Sequence, residues 1–214
     1  MYGKIYIVLK QVKYIFLRGI EGMVWQIVAF SILLVFYTIY IGKMISQKKK
    51  GIQTDQIARG KKKGKLFRVE LLMKIATYSV VAVEVISIIL NISSLPKAVR
   101  IVGVILGVAG DIVFAIAVWT MRDSWRAGIA ENDKTEIVTA GIYRFSRNPA
   151  FLGFNLVYLG ILLIFFNWVL FIFSAFAAIM LHLQILQEEK YLPSVFGEEY
   201  LAYKKKVCRY IGRK

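Results

Sequence analysis

Cysteine and histidine are almost missing from this chain: Cys208 and His182 are the only ones in 214 residues. A lone cysteine cannot close an internal disulfide, and without a CxxC or a Cys/His cluster no metal site is written into the sequence. Any mechanism that needs a histidine pair is excluded as well. Cys208 reads as a small residue near a helix end rather than as a catalytic thiol. Acidic residues are scarce, 13 against 29 Lys and Arg, which leaves a formal net charge of +16. That excess can mark a nucleic-acid partner. Here the basic residues flank apolar runs, so membrane lipids are the expected partner and nucleic acid is not.

What fills the chain instead is hydrocarbon. Hydrophobic residues make up 58% of it and the mean hydropathy is +0.60. The apolar residues come in long runs, as membrane spans do, and a soluble domain of this size would need a polar shell that is not available. A spanning helix needs about 20 apolar residues, because each adds about 1.5 Å across a core about 30 Å thick.

Residues 1–20 alternate basic and apolar positions (Lys4, Lys10, Lys13, Arg18) with no small-residue cleavage site after them. Segment 1–22 is therefore expected as a retained interfacial basic helix rather than a signal peptide. Residues 23–121 hold three expected spans, 23–45, 69–92 and 99–121, with a Lys-rich loop at 46–68. That loop carries Lys48, Lys49, Lys50, Arg59, Lys61, Lys62, Lys63, Lys65 and Arg68, which places it in the cytoplasm. Asn, Ser and Pro at 91–96 predict a tight external turn. Gly103, Gly107 and Gly110 line one face of the third span, where small residues let a neighbouring backbone approach closely. Glu84 and Asp111 are intramembrane carboxylates, open to an interhelical hydrogen bond or a substrate role; Glu84 is expected to face protein, pair or be protonated.

Residues 122–148 return to the cytoplasm with Arg122, Arg126, Lys134, Arg144 and Arg147. Two apolar runs, 149–166 and 168–187, break only at Asn167 and predict a tight helical hairpin. Pro149 suits the first turn of its helix, where a missing N–H costs nothing. Residues 188–214 form a basic amphipathic tail. The expected fold is an all-α integral membrane protein of about five transmembrane helices, ending in a C-terminal helical hairpin (149–187) and an amphipathic cytoplasmic tail. The N-terminal segment then falls outside, against the positive-inside tendency, because the Lys-rich loop outweighs it.

Two polar segments stand out. In 136–151 a Gly- and Arg-containing loop runs into a Pro-started helix, whose free N–H groups attract a carboxylate or phosphate. In 182–200 a hydrophobic helix emerges into Glu188, Glu189 and Phe196-Gly197-Glu198-Glu199-Tyr200. A closed hairpin brings Asn148 and Glu188 to one membrane face and predicts a polar pocket at the lipid boundary.

Gly141, Tyr143, Arg147, Asn148, Pro149 and Phe151, then a hydrophobic hairpin, then Glu188, Glu189, Leu192, Phe196, Gly197, Tyr200 and Tyr203 resemble the isoprenylcysteine carboxyl methyltransferase family and its bacterial relatives, which are themselves similar to phospholipid N-methyltransferases. The likeness runs from about Ser124 to Arg209, and its strength lies in the two blocks occurring in order around a hairpin. It implies that residues 122–214 form a methyltransferase core binding S-adenosylmethionine under a C-terminal cap. Glu136, Ile137, Val138, Tyr143, Asn148, Pro149, Ala150, Phe151 and Glu188 would line that cofactor. A carboxylate at 188 suits ribose hydroxyls, an ammonium and a sulfonium, and Tyr143 and Phe151 can stack on adenine or flank the sulfonium.

Arg147, Glu189 and His182 are the expected catalytic residues, the last two as proton acceptors if the nucleophile is an amine or thiol. Each has a plainer reading: an Arg147–Glu189 surface pair, an interhelical hydrogen bond for His182, and hairpin core for Phe151. Asn148 and Phe151 stand where the family usually has His and Tyr. Gln184 stands where the eukaryotic enzymes carry an Arg for the substrate carboxylate, and a neutral amide cannot form that bidentate clamp. Gln184 and Arg126 are the expected substrate contacts, and no metal is expected.

Because the site should open at the bilayer edge, the acceptor is expected to be lipid-like or membrane-partitioning, methylated on O, N or S. The basic loops place the site on the cytoplasmic side, expected to be that of a bacterial or archaeal plasma membrane. A nicotinamide-dependent membrane reductase of the sterol reductase type and a non-catalytic membrane scaffold are the alternatives. Nothing in the sequence sets the oligomeric state.

Overall fold

A computed structural model of the protein describes residues 2–60, 62–129 and 135–213, with side chains from residue 19 onward. The expectations for Lys4, Lys10, Lys13 and Arg18, for Lys61 and for Lys134 lie outside the described side chains. Among the described residues there are five α-helices: α1 (Tyr2–Lys49), α2 (Gly64–Ile89), α3 (Lys97–Met121), α4 (Pro149–Ile164) and α5 (Trp168–Lys206). Short 3-10 turns stand at Arg122–Ser124 and Gly141–Arg144. Four of the five helices are long and apolar enough to cross a membrane, and α4 is shorter. The chain is an all-α integral membrane protein.

Three boundaries differ from the hydropathy reading. The expected interfacial segment and first span are one continuous helix, because no proline interrupts α1. The Lys-rich loop shrinks to residues 50–63, since both flanking helices extend into it. Most consequentially, α5 does not stop where its apolar run stops. It continues for 39 residues, about 58 Å at 1.5 Å per residue, through Pro193 and past a non-helical Gly197 at φ 52° and ψ −133°. That is about twice a hydrocarbon core, so the last turns of α5 stand outside it as part of the site.

α3 is held against α4 by glycines on both helices. A Cβ at Gly160 would fall 2.6 Å from the Gly107 nitrogen, and one at Gly110 would fall 2.8 Å from the Val157 nitrogen and 2.9 Å from the Gly153 carbonyl oxygen. The stripe on α3 therefore meets a matching one on α4. Gly107 also accepts Ile32 of α1, whose Cδ1 would be 2.9 Å from an added Cβ.

The turn at 91–96 is tied down by polar contacts. Gln26 Nε2 donates to the Ile88 carbonyl at 2.8 Å, Ser94 N to the Phe166 carbonyl at 3.4 Å, and Asn167 Nδ2 to Ser87 Oγ at 3.0 Å. Asn167 also caps α5, accepting from Leu170 N at 2.9 Å, and this closes the α4–α5 hairpin. Glu84 faces protein as expected, fully buried, with neither carboxylate oxygen hydrogen-bonded to a described residue. Asp111 is also buried, and its Oδ1 has no such partner.

Candidate active site

At the end opposite that turn, three polar segments converge: residues 50–63, residues 122–148, and α5 from Gln184 onward. Segment 54–58 pairs with 126–129. Ala127 N donates to the Thr54 carbonyl at 3.0 Å, Gln56 N to the Ala127 carbonyl at 2.8 Å, and Asp55 and Ala127 form a parallel bridge. Gln47 fixes the pair from α1, its Nε2 reaching the Trp125 carbonyl at 3.0 Å and its Oε1 accepting from Thr54 Oγ1 at 2.6 Å.

This paired segment separates two cavities. The first, about 150 Å³, is lined on one side by Arg126, Glu136, Ile137, Val138, Tyr143, Arg147 and Asn148, and on the other by Glu188 and α5 from Tyr191 to Tyr203. The second, about 340 Å³, is largely apolar, with Tyr37, Tyr40, Trp125, Ala150, Phe151 and Phe154 in its walls. Arg126 and Gly128 line both.

Glu188 accepts a hydrogen bond from Gln184 Nε2 at 3.0 Å, one helical turn back. Among the described residues no cation forms an ion pair with it, and the charge of Lys62 acts on it only at longer range, so a half-buried carboxylate faces the first cavity. Its neighbour Glu189 is in the opposite condition. Arg147 Nη2 donates to Glu189 Oε1 at 2.7 Å and Arg209 approaches both oxygens at 3.0 Å, with the Glu189 side chain only 4% exposed. This hydrogen bonding raises the Arg209 pKa further above the usual guanidinium range. Asn148 Nδ2 joins at 3.4 Å and also donates to the Arg209 carbonyl at 3.1 Å.

The chain end closes over this cluster. Arg147 N donates to the Cys208 carbonyl at 3.1 Å and Gly212 N to the Phe145 carbonyl at 2.7 Å. The Tyr203 hydroxyl donates to the Tyr143 carbonyl at 2.7 Å. Burial pushes the Tyr143 phenol well above its ordinary range, with a smaller push from Tyr203, so it stays neutral in the cavity wall.

Glu136, Ile137, Val138, Tyr143, Asn148 and Glu188 thus meet at one cavity, together with Arg147 and Arg126. Ala150 and Phe151 do not join them, because the first turn of α4 directs both to the apolar chamber. Pro149 is buried at the head of α4 and lines neither cavity. His182 lines neither one; its Nδ1 is hydrogen-bonded to the Tyr210 hydroxyl. Gln184 is buried behind Glu188 rather than open to a ligand. Glu189 lies between two arginines instead of in the cavity wall.

Sequence reasoning assigned no role to Tyr200, whose hydroxyl is buried in the cavity wall without a hydrogen-bond partner among the described residues; Arg147 Nε is orphaned in the same way. Tyr200 lay in view within the second motif block. What gave no signal was that the helix persists past the span and turns this side inward.

Residues 102–194 match the isoprenylcysteine carboxyl methyltransferase (ICMT) family. The match covers under half of the chain, and over that stretch the chain is similar to that family. Among curated relatives, the protein-S-isoprenylcysteine O-methyltransferase of Saccharomyces cerevisiae is 31% identical over 124 residues, 56% of this chain and 51% of that protein. The Xenopus laevis protein of the same name is 28% identical over 111 residues, 50% of this chain and 38% of its own length. The chain spans about half or less of the length of these relatives. The family match begins within α3, so α1, α2 and the loop between them lie outside it.

Proposed function

We propose that the protein is a membrane-embedded S-adenosylmethionine-dependent methyltransferase whose acceptor is lipid-like. The observation that carries this reading is the convergence of two motif blocks on one polar cavity that meets an apolar chamber across the Arg126–Gly128 wall.

The residues present suit the cofactor chemically. Glu188, a carboxylate in no ion pair among the described residues, matches an ammonium or ribose hydroxyls. The orphaned Tyr200 hydroxyl and Arg147 Nε–H are donors suited to a carboxylate end. The bound cofactor supplies an activated methyl on a sulfonium, so the chain need only bind, orient and keep water out. Gln184 orients Glu188. Glu189 holds Arg147 and Asn148 in place and, locked between two guanidiniums, is a poor proton acceptor. His182, tied to Tyr210, orders the chain end rather than the acceptor.

The acceptor chamber lies within the size range of small-molecule pockets, about 300–1,000 Å³, and its aromatic walls suit hydrocarbon. Ala150 and Phe151 belong to the acceptor rather than to the cofactor in this reading. Arg126, placed at both cavities, is the residue suited to an acceptor oxygen at the meeting point. Gln184 is engaged with Glu188, which removes it as a clamp for an acceptor carboxylate. The loop end faces the cytoplasm by its excess of Lys and Arg.

The test is binding of S-adenosylhomocysteine to the purified protein in detergent, against NADPH. Binding of the first, and its loss in Glu188→Ala with thermal stability retained, is expected. Binding of NADPH alone would sink the assignment, and unchanged affinity in Glu188→Ala would remove Glu188 from the pocket.

A further inference from the structure

One buried ion pair lies outside the family match and outside both cavities. Glu70, on the first turns of α2, and Lys62, in the loop before it, meet at 2.8 Å with side chains 0% and 2% exposed. Burying two charges is costly, and such a pair persists only when further hydrogen bonds satisfy it. Here the additional bonds all go to backbone. Glu70 Oε2 accepts from Ala58 N at 2.6 Å and Oε1 from Ile129 N at 3.1 Å, while Lys62 Nζ donates to the Gln56 carbonyl at 2.6 Å.

Those three anchor points are the two sides of the wall between the cavities. Ala58 and Gln56 belong to one paired segment and Ile129 to the other. Ile129 and Gly128 face the cofactor cavity, and Ile57 and Gly128 face the chamber. The wall has little slack. Ala58 is held at φ 53°, a left-handed conformation costly for a residue with a Cβ. Gly128, at φ 86°, packs so close to Ile57 that an added Cβ would lie 3.0 Å from its nitrogen. Pairing between such short segments is weak alone, so a charged acceptor gripping both of them sets their spacing.

We infer that Glu70 is a positioning residue for methyl transfer: by holding Ala58 and Ile129 together it fixes the wall at which cofactor and acceptor meet. The inference rests on the two-cavity reading above. It assigns a role in the site to α2 and its preceding loop, neither of which the family match covers.

The test separates positioning from mere stability. Glu70→Gln leaves one acceptor oxygen and an unpaired buried lysine. The double variant Lys62→Met with Glu70→Leu removes both charges and fills the space with hydrocarbon, which commonly restores stability, but offers nothing to the Ala58 and Ile129 amides. Hydrogen exchange of peptides covering 56–60 and 126–129 is measured alongside thermal midpoint and S-adenosylhomocysteine affinity, all in detergent.

A positioning role predicts a double variant with a midpoint near that of the parent. Its exchange in both segments is about tenfold faster and its affinity about tenfold weaker, the loss expected when hydrogen bonds to a charged acceptor are removed. Parental exchange and affinity in a stable double variant would overturn it. If the double variant does not fold, Glu70→Gln decides by the same two readouts, compared at equal fractions folded. If the parent itself binds no S-adenosylhomocysteine, the methyltransferase reading fails, while exchange still decides whether Glu70 holds the wall.

Discussion

Gly160→Ala on α4 sets two effects of opposite sign against each other, and the geometry decides between them. Replacing a helical glycine by alanine is favourable by up to about 1 kcal/mol where space allows, because the backbone loses less freedom on folding. At Gly160 space does not allow it. The new Cβ would lie 2.6 Å from the Gly107 nitrogen, 2.7 Å from the Gly103 carbonyl oxygen and 2.8 Å from Gly107 Cα. All three are backbone atoms of α3, so no side chain can rotate away.

Carbon contacts become favourable only at about 3.5–4.0 Å, so α3 and α4 must part by roughly 1 Å along this seam. Overpacking costs about 1–3 kcal/mol, and close approach is itself the attraction between membrane helices. The net expectation is a loss of about 1–2 kcal/mol, a fall in thermal midpoint of about 2–8 °C on the scale for chains of 150–250 residues. Gly42 on α1 has no atom within 4 Å of an added Cβ, so Gly42→Ala serves as the control that keeps the propensity gain alone. Thermal unfolding in one detergent, followed by helical circular dichroism, compares the two. Equal midpoints for Gly160→Ala and Gly42→Ala would refute the backbone-contact argument.

Two further outcomes follow from the cap over the cavity. Gly197→Ala meets no steric neighbour, yet φ 52° with ψ −133° is a backbone region for glycine, so the cost of about 1–3 kcal/mol is conformational. Residues 191–203 should reorient, weakening S-adenosylhomocysteine affinity about tenfold or more in a calorimetric titration; unchanged affinity would show that the bend is incidental. Arg209→Gln removes one of two guanidiniums from Glu189, and since Arg209 is about one-third exposed, solvent screening limits the loss to about 1 kcal/mol. Residues 207–213 should then release more often, seen as faster tryptic cleavage at Lys204, Lys205 and Lys206, and an unaltered cleavage rate would show that the Arg209–Glu189 pair is not what holds them.

The sequence by itself determined four of its five expected spans as helices long and apolar enough to cross a membrane (α4, the fifth, is shorter), the turn at 91–96, the glycine face of α3, and the two polar blocks that build a cavity. Each follows from a property of local sequence: run length against bilayer thickness, residue size at helical spacing, or a motif around a hairpin. Tertiary structure decided what each polar side chain does, because that depends on how far helices are rotated and which loop lies above them. Glu188 and Glu189 are adjacent in sequence, yet one faces the cavity in no described ion pair while the other is enclosed by Arg147 and Arg209. Phe151 follows Asn148 by less than a turn and faces the other chamber. The partnership of Glu70 with Ala58 and Ile129 bridges 59 residues to its farther end. Hydropathy carries no trace of that link, since the bilayer constrains how long a helix is and leaves its neighbours to side-chain packing.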